Sequence, residues 1–376
     1  MPDSDQTYGA YLDRMPKVEL HCHLIGTVRP ETFAELSARA GLELPADPLD
    51  IFQRVNSRAP DHAPYAHARI PVPEGPAPDE PVPSYPLFQV SDWVKRSMTR
   101  LDDFSRIAYE ALVDARTKSN TRYAELFVDP VAGGVWPFSY PQVVDAYLDG
   151  MRAAEADHGI RSRLIAAIDR SRPGSEAVAV VQQVIEHRRD EVVGIGLDNL
   201  ETAGPPERFV GAYQLARKAG LRRTAHSSEH APTAVNTVTC LDQLHCDRID
   251  HGYFILEDDA VVERCRDQGV PFTCIFTTSR RSWRPWRRAS IAEMVRRGIT
   301  VTLSSDDPGM FPTTLAREYR IAGLELGFDR AQMRKICLDG VAASWLDEGE
   351  RAQLAAEFGR ELDALEEELY GPGSTV

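Results

Sequence analysis

Eight short runs rich in β-branched and other apolar residues recur along the chain, and patterns typical of amphipathic helices lie between them. Such alternation favours a parallel sheet whose strands are connected by helices. The predicted strands are 18–23, 123–128, 163–168, 192–197, 221–225, 248–251, 270–276 and 299–304. Eight successive strand–helix units indicate an α/β fold, and we predict a single (β/α)₈ TIM barrel. A doubly wound open sheet is the alternative, but no glycine-rich nucleotide loop follows the first strand.

Helical patterns fill the connections between these strands, and glycine follows many of them. Glycine accepts the left-handed backbone that commonly ends a helix, so it marks the stop before the next strand. The predicted helices are 141–157, 176–189, 206–219, 258–268 and 290–297, and the glycines are Gly159, Gly220, Gly269 and Gly298. A length of 376 residues suits one elaborated barrel, so we predict a single domain over 1–376.

The connection after the first strand, 24–121, is far longer than an ordinary βα loop. It contains a predicted insertion at about 42–90 that is proline-rich between 60 and 86. A surface loop is the simpler interpretation, and an active-site lid is the alternative, because long βα loops often cover barrel active sites. Helices are predicted at 30–40 and 91–118, and an extra C-terminal helix at 348–369 within an extension of about 347–376.

Composition limits the partners and the compartment. The formal net charge is −14, so the chain is expected to repel nucleic acid. No stretch approaches the roughly 20 apolar residues of a membrane span, and the polar N-terminus does not predict a signal peptide. The six cysteines form no CxxC pair, which favours reduced thiols and a cytoplasmic location. A homo-oligomer is compatible with the sequence, which does not set the oligomeric state.

Two histidines, His21 and His23, end the first predicted strand. Because strand side chains alternate, both imidazoles point to the same face, here the barrel interior. Paired interior histidines are costly as core filler but natural as metal ligands. On its own the pattern leaves two interpretations open, a metal site or a satisfied polar pair. Cys22 between them is expected to face away from the interior and to serve in packing.

Further candidate ligands lie at the ends of later strands. His226 ends the fifth strand, His251 ends the sixth, and Asp306 and Asp307 end the eighth. Barrel active sites are assembled at this carboxyl-terminal rim from several strands, so one joint metal site is predicted. Three histidines with a carboxylate suit Zn²⁺ and a bound water, whose pKa the metal lowers. Since two adjacent aspartates point to different sides, one can bind metal while the other faces the substrate.

The remaining groups are candidates for proton transfer. Glu229, three residues after His226, is placed to give a proton to a ring nitrogen. His251 can hold or deprotonate an attacking water, or stabilise a developing oxyanion. His230 is either structural or a supporting contact beside Glu229.

These residues stand in motifs that resemble those of the adenosine and adenine deaminases, a family of metal-dependent amidohydrolases. Residues 15–27 read MPKVELHCHLIGT, which is similar to the opening signature of that family. The resemblance continues through RIAYE at 106–110, YAELFVDP at 123–130, GIGLD at 194–198 and HSSE at 226–229. It covers nearly all of the chain from Lys17 to about Ala343.

The resemblance implies a hydrolytic deaminase with one Zn²⁺ per chain. It assigns the metal to three histidines and one aspartate: His21, His23, His226 and Asp306. Glu229 would protonate N1 of a purine, while His251 and Asp307 would handle the water and the amine. Hydroxide would then attack C6, and ammonia would leave to give a 6-oxopurine.

Two positions depart from the family pattern. Adenosine deaminases carry an acidic residue two positions after the second histidine, where it contacts the ribose 5′-hydroxyl, and adenine deaminases place a glutamate there. This chain has Ile25, which accepts no hydrogen bond and is expected to meet an apolar or absent 5′-group. Asn199 stands where the family has a glycine that meets purine N3, so Asn199 joins Asp307 as a candidate substrate contact. The stretches 127–130 and 197–201 look closer to the adenine-type branch.

A segment rich in arginine and tryptophan follows the seventh predicted strand and includes the loop from Arg280 to Arg288. A solvated loop or a subunit contact is the simpler interpretation. The functional alternative is an arginine that meets an anionic substrate group beside a tryptophan that stacks on an aromatic one.

We therefore predict zinc-dependent deamination of a small-molecule 6-aminopurine, in the first place an adenosine-type nucleoside giving the 6-oxo product. Adenine, or an adenosine modified at the 5′ or N6 position, is the alternative substrate. A metal-dependent amidase or phosphoesterase could use the same barrel, but such sites usually carry a bridging lysine on the fourth strand, and 192–199 contains none. A non-catalytic binding protein would not be expected to keep the full set of candidate metal ligands and proton-transfer residues.

Overall fold

The computed structural model of the chain describes residues 5–56, 84–131, 134–231, 233–277 and 285–376. Eight strands form one parallel sheet in the order β1-β4-β5-β6-β7-β8-β9-β10. In chain order the strands are β1 (Lys17–His23), β2 (Val55–Asn56), β3 (Tyr85–Pro86), β4 (Thr121–Val128), β5 (Arg161–Asp169), β6 (Val192–Asp198), β7 (Arg222–Ser227), β8 (Ile249–His251), β9 (Pro271–Cys274) and β10 (Thr300–Leu303). The short strands β2 and β3 pair with each other, outside the large sheet.

The first and last strands of the large sheet meet through the segment that follows β10. Cys22 forms a parallel bridge with Asp306. The amide of Asp306 donates to the carbonyl of His21 at 3.0 Å, and the amide of His23 donates to the carbonyl of Asp306 at 2.8 Å. These bonds complete the barrel, so the predicted α/β TIM-barrel fold is confirmed.

Helices connect the strands and surround the sheet. They are α1 (Asp5–Arg14), α2 (Pro30–Ala40), α3 (Pro48–Gln53), α4 (Leu87–Ser97), α5 (Leu101–Ser119), α6 (Tyr140–His158), α7 (Gly174–Glu186), α8 (Val210–Lys218), α9 (Val235–Asp242), α10 (Asp259–Asp267), α11 (Pro285–Arg296), α12 (Leu315–Arg320), α13 (Arg330–Ala343) and α14 (Glu348–Tyr370). Local sequence sets several of these ends. Ser139 and Gln142 form a capping box at the start of α6, and Gly159 ends the helix with φ 66°.

The predicted helix over 91–118 is wrong as a single element. It divides into α4 and α5, because the backbone of Met98 is extended and the Asp103 carboxylate accepts the amides of Thr99 and Arg100 at 3.0 and 2.9 Å. An N-terminal cap of this kind starts a new helix rather than continuing the old one.

The seventh predicted strand, 270–276, also ends early, at Cys274. The amides of Phe276 and Thr277 donate to the buried carboxylate of Glu318 at 2.7 and 3.2 Å, instead of to a neighbouring strand. The next described element is α11, which carries part of the arginine-rich segment.

The C-terminal helix α14 is present and packs outside the barrel. It buries Leu354, Phe358 and Leu362, and Tyr11 of α1 donates to Glu366 at 2.8 Å. Cys22 is buried and lines a cavity with Leu112 of α5, on the outer side of the sheet. Among the described helices, we find none with both the length and the apolar character needed to cross a membrane.

Candidate active site

The predicted site residues converge at the carboxyl-terminal end of the barrel. His21 and His23 lie at the end of β1, His226 on β7, His251 on β8, and Asp306 just after β10. All but His23 are buried, and His23 lies in an intermediate position at the edge of a cavity. The parallel barrel brings together side chains that are far apart in sequence, as expected for active sites of this architecture.

Four of these side chains form a compact group of potential metal ligands. Nε2 of His226 lies 3.1 Å from Nε2 of His21 and 3.1 Å from Nε2 of His23. Oδ1 of Asp306 lies 3.5 Å from both of these imidazole nitrogens of strand β1. These separations are near the ~3.4 Å edge of a tetrahedron whose ligands lie about 2.1 Å from a central ion. The group therefore fits one divalent cation.

Burial and neighbouring carboxylates shift the pKa values of the two first-strand histidines in opposite directions. Burial lowers the pKa of His23 to about 3. Burial also acts to lower the pKa of His21, but the carboxylates of Asp250 and Asp306 outweigh it and raise that pKa to about 9. The carboxylates beside His21 therefore favour positive charge at this point of the site.

A buried carboxylate that the sequence analysis missed, Asp250, supports the histidines from behind. Its Oδ1 lies 3.8 Å from Nδ1 of His21, and its Oδ2 lies 3.4 Å from Nδ1 of His226. Thr273 donates to Asp250 at 2.8 Å and contacts Nδ1 of His21 at 3.0 Å. Such outer contacts fix the ring orientation and leave Nε2 free for a ligand. The available sequence signal was the polar residue preceding His251 on β8.

Several residues at this end of the barrel have the left-handed backbone that is rare outside glycine. They are Asn199, Ser228, His251 and Asp306, with φ of 72°, 51°, 70° and 61°. Asn199, His251 and Asp306 line the cavity, whereas the Ser228 hydroxyl donates to the carbonyl of Thr233 at 2.8 Å. The side chain of Asn199, a predicted substrate contact, donates to Asp169 at 3.0 Å and accepts from the amide of Leu200 at 2.6 Å.

The loop that carries Glu229 is held by another carboxylate, Glu201. Its oxygens accept the amides of residues 228–231 at 2.6 to 2.9 Å and the side-chain amide of Asn236 at 2.7 Å. Glu201 is 2% exposed, so these bonds are made away from water. Sequence reasoning did not identify this role, because Glu201 lies about 27 positions before the loop that it anchors.

We expect Glu201→Gln to lower the free energy of unfolding by about 2–4 kcal/mol and to reduce turnover, since a neutral amide accepts these buried amides less well. Urea unfolding monitored by circular dichroism measures the first effect, and steady-state kinetics the second. The exposed Glu186→Gln on α7 is the control and should leave both unchanged. Unfolding and turnover of Glu201→Gln equal to the parent protein would contradict the anchoring role.

Glu229 is surrounded by cationic or potentially cationic groups. Its Oε1 accepts from Nη2 of Arg287 at 2.9 Å, while Oε2 lies 3.0 Å from Nδ1 of His230 and 3.4 Å from Nε2 of His251. Burial alone would raise the pKa of Glu229, but His230, His251 and Arg287 hold it well below its usual range. His230, for which a supporting contact was one interpretation, is therefore in contact with the glutamate.

The arginine-rich segment is described only from residue 285 onwards, so Arg280 lies outside the described residues. Within α11, Arg287 is 3% exposed and Trp286 is 6% exposed. The interpretation of a solvated loop is therefore wrong for this part of the segment. Arg287 enters the cavity because it follows Trp286, which packs against Phe254 with ring centroids 5.2 Å apart and fixes the first turn of α11.

Asp307 follows Asp306 in the chain and lines the same cavity. Burial raises its pKa well above the usual range, and the nearby Asp306 and Asp198 raise it further. Gly26 makes the close approach possible, since a β-carbon there would lie 1.9 Å from Oδ1 of Asp307. Ile25, the predicted specificity position, is 4% exposed and lines this cavity as well.

The rest of the cavity wall consists of an acidic set and an apolar set of residues. The carboxylates of Asp129, Asp169 and Asp198 line one side together with Lys95, which pairs with Asp129 at 3.0 Å. The apolar part of the wall is contributed by Pro86, Leu87, Phe88 and Phe311. Part of the insertion thus covers the site through β3 and α4, while residues 57–83 lie outside the described ranges.

The comparisons with known proteins agree with this geometry. A sequence model of the family described as adenosine deaminase matches residues 16–67 and 82–360. The chain is 28% identical to an adenine deaminase from Rhodospirillum rubrum, over 93% of this chain and 97% of that protein. It is 29% identical to an adenine deaminase from Streptomyces coelicolor, over 93% of this chain and 95% of that protein.

Solved structures are similar over nearly the whole chain. An amidohydrolase from Burkholderia ambifaria with bound Zn superposes with a TM-score of 0.84 at 33% identity, covering 98% of this chain and 96% of that chain. An adenine deaminase from Arthrobacter aurescens superposes with a TM-score of 0.77 at 26% identity, covering 92% of this chain and 98% of that chain.

The family match covers most of the chain, and most of the candidate site residues at the end of the barrel line one cavity. We conclude that the chain belongs to the adenosine deaminase family of the amidohydrolase superfamily and is a hydrolase of C–N bonds in cyclic amidines.

Proposed function

We propose that this protein deaminates a 6-aminopurine at C6 with the help of Zn²⁺ and prefers a free base to a nucleoside. The observation that carries the proposal is the group formed by His21, His23, His226 and Asp306, of which all but the fully buried His21 line the same cavity as Glu229 and His251. Adenine deaminases among the relatives support the free base. The preference for a nucleoside that the sequence suggested is therefore revised.

The donor set favours zinc over a harder cation. Three imidazole nitrogens and one carboxylate oxygen are typical of Zn²⁺ sites, whereas Mg²⁺ and Ca²⁺ prefer oxygen ligands. The Burkholderia ambifaria amidohydrolase, 33% identical to this chain, contains Zn. A divalent ion bound here would lower the pKa of a water and so supply a nucleophile near neutral pH.

The side chains around the cation group would then move the protons. His251, whose Nδ1 lies 3.1 Å from Oη of Tyr253, is held with Nε2 towards Glu229 and can accept a proton from the attacking water. Glu229 would face N1 of the purine and hold the ring-nitrogen proton as the C6 amine leaves. Asp307, whose pKa is raised by burial and by the nearby Asp306 and Asp198, would contact the substrate beside the metal group.

The acidic wall favours a base over a nucleotide. Asp129 and Asp169 can accept the ring N–H of an unsubstituted purine, which a nucleoside lacks. A phosphate group beside these carboxylates would be repelled, because Lys95 already pairs with Asp129. Ile25 offers no acceptor to a ribose 5′-hydroxyl.

Ammonia release from a panel of substrates tests the proposal. Zinc-loaded protein is assayed with purine bases, adenosine, 5′-deoxyadenosine and AMP, and methylamine release is followed with N6-methyladenine. We expect a kcat/KM for the best base at least about 10-fold above that for adenosine, the equivalent of one lost hydrogen bond. Preference for adenosine or AMP would contradict the free-base proposal, and preference for 5′-deoxyadenosine would make Ile25 a contact for a 5′-modified nucleoside.

A further inference from the structure

The guanidinium of Arg287 is a buried cation within the cavity, directly beside the proposed N1 contact. Its Nη2 donates to Glu229 at 2.9 Å, and its central carbon lies 4.8 Å from the ring centroid of Tyr253. The side chain is 3% exposed. An arginine in this position is not needed for a glutamate to give a proton to a ring nitrogen, since the cation favours the ionised carboxylate.

Arg287 also has donors to spare. Its Nε is buried and has no hydrogen-bond partner within the described part of the chain. Arginine cannot lose its proton, and a buried N–H without a partner carries a substantial desolvation penalty. A substrate atom that accepts a hydrogen bond from Arg287 would remove that penalty, and a substrate atom that carries only C–H would not.

The adjacent carboxylate and guanidinium match one particular ring edge. A carboxylate accepts from an N–H, and a guanidinium next to it donates to a carbonyl oxygen, so the pair is complementary to –NH–C(=O)–. If Glu229 faces N1 of a 6-aminopurine, the next ring atom towards Arg287 is C2. Adenine places a C–H at C2, guanine places an amine donor there, and a 2-oxopurine places an acceptor there.

We propose that Arg287 selects 6-aminopurines with an oxo group at C2, the isoguanine class, over adenine. The inference rests on the proposed function, because it uses Glu229 as the N1 contact of a 6-aminopurine deaminase. The reaction is isoguanine plus water giving xanthine plus ammonia. The C6–N bond breaks, water supplies the new C6 oxygen, and the departing amine takes up protons from water. Xanthine keeps the N1–H and C2 carbonyl that face Glu229 and Arg287.

The alternative use of Arg287, binding a phosphate on the N9 side, is less compatible with the layout. Arg287 is held by its hydrogen bond to Glu229, the proposed N1 contact, and the cavity that it shares also contains Asp129 and Asp169. A phosphate drawn to Arg287 would also approach the carboxylate of Glu229, which repels it.

The test compares isoguanine with adenine for zinc-loaded wild type, Arg287→Met and Arg287→Lys. We expect wild type to show a kcat/KM for isoguanine at least about 10-fold above that for adenine. Arg287→Met should lower the isoguanine value roughly 10–100-fold more than it lowers the adenine value, the loss of one charge-assisted hydrogen bond to the substrate. Arg287→Lys should show a smaller loss in kcat/KM for isoguanine. If the methionine variant is unstable, the lysine variant, which keeps the positive charge, takes its place in the test.

Arg288→Met is the matched control, because the neighbouring Arg288 pairs with the exposed Glu325 instead of Glu229. It should retain the wild-type ratio of the two substrates. A wild-type preference for adenine, or an equal loss of both activities in Arg287→Met, would overturn the inference and leave Arg287 with a structural role only.

Calorimetric binding of the two products separates this inference from the proposed function. Zinc-loaded wild type should bind xanthine more tightly than hypoxanthine, and Arg287→Met should remove the difference. If no aminopurine releases ammonia, the proposed function fails, yet the product preference still decides the role of Arg287. Equal binding of both products by wild type would overturn the inference even if adenine is deaminated.

Discussion

Glu229→Gln is expected to lower kcat by at least about 1,000-fold while the protein keeps its metal ion, since proton transfer by a positioned side chain contributes up to about 10⁴-fold. An amide cannot take up and return the ring-nitrogen proton. It also leaves the buried Arg287 without its counter-charge, which adds to the loss. Ammonia release measures kcat, and inductively coupled plasma mass spectrometry measures the metal content.

Two comparisons make this experiment specific. Glu263→Gln, on the exposed face of α10, changes the same functional group outside the cavity and should keep full activity. Metal content that stays at the wild-type level separates a lost proton-transfer group from a damaged metal site. If Glu229→Gln kept more than a tenth of the wild-type kcat, Glu229 would not have the proton-transfer role assigned to it.

His226→Ala is expected to abolish metal binding and to lower turnover by at least about 1,000-fold. Nε2 of His226 lies 3.1 Å from Nε2 of His21 and from Nε2 of His23, so the substitution removes the ligand atom that both of these nitrogens contact. Wild type should also gain thermal stability on addition of Zn²⁺, because a ligand that binds only the folded state stabilises it. His226→Ala should show no such gain in differential scanning fluorimetry.

His187→Ala, at the end of α7 and away from the cavity, is the control for loss of an imidazole. It should keep the metal, the activity and the stabilisation by Zn²⁺. A His226→Ala variant that retained one tightly bound zinc per chain would exclude His226 from the metal site.

The sequence predicts well the features that depend on local patterns, such as the alternation of side chains along a strand and the recurrence of polar residues at strand ends. His21 and His23 share a face because strand side chains alternate, and His226, His251 and Asp306 follow strand ends because a barrel presents that rim. The strand order and the position of this rim can be predicted from the succession of strands and helices alone. The division between α4 and α5 was missed, since it depends on a side-chain cap rather than on periodicity.

The residues that sequence reasoning missed act through distant contacts. Asp250 supports His21 across the barrel, Glu201 anchors a loop that begins 27 positions later, and Arg287 reaches Glu229 over 58 positions. None of the three stands in a spacing that predicts its partner. Arg287 illustrates the difficulty, because its segment is rich in arginine, a residue that is usually exposed. Only the packing of Trp286 against Phe254 shows that the Arg287 side chain is directed inward.

The central claim is that a metal ion held by the barrel-end histidines enables hydrolysis of the C6 amine of a purine base. The most direct measurement is a titration of metal-stripped protein with Zn²⁺, with ammonia and the oxopurine product followed for adenine and isoguanine. We predict no turnover without metal, and activity that rises to a plateau at one zinc per chain with equal amounts of ammonia and oxopurine. Full activity in the stripped protein, or one bound zinc with no ammonia from either base, would contradict the account.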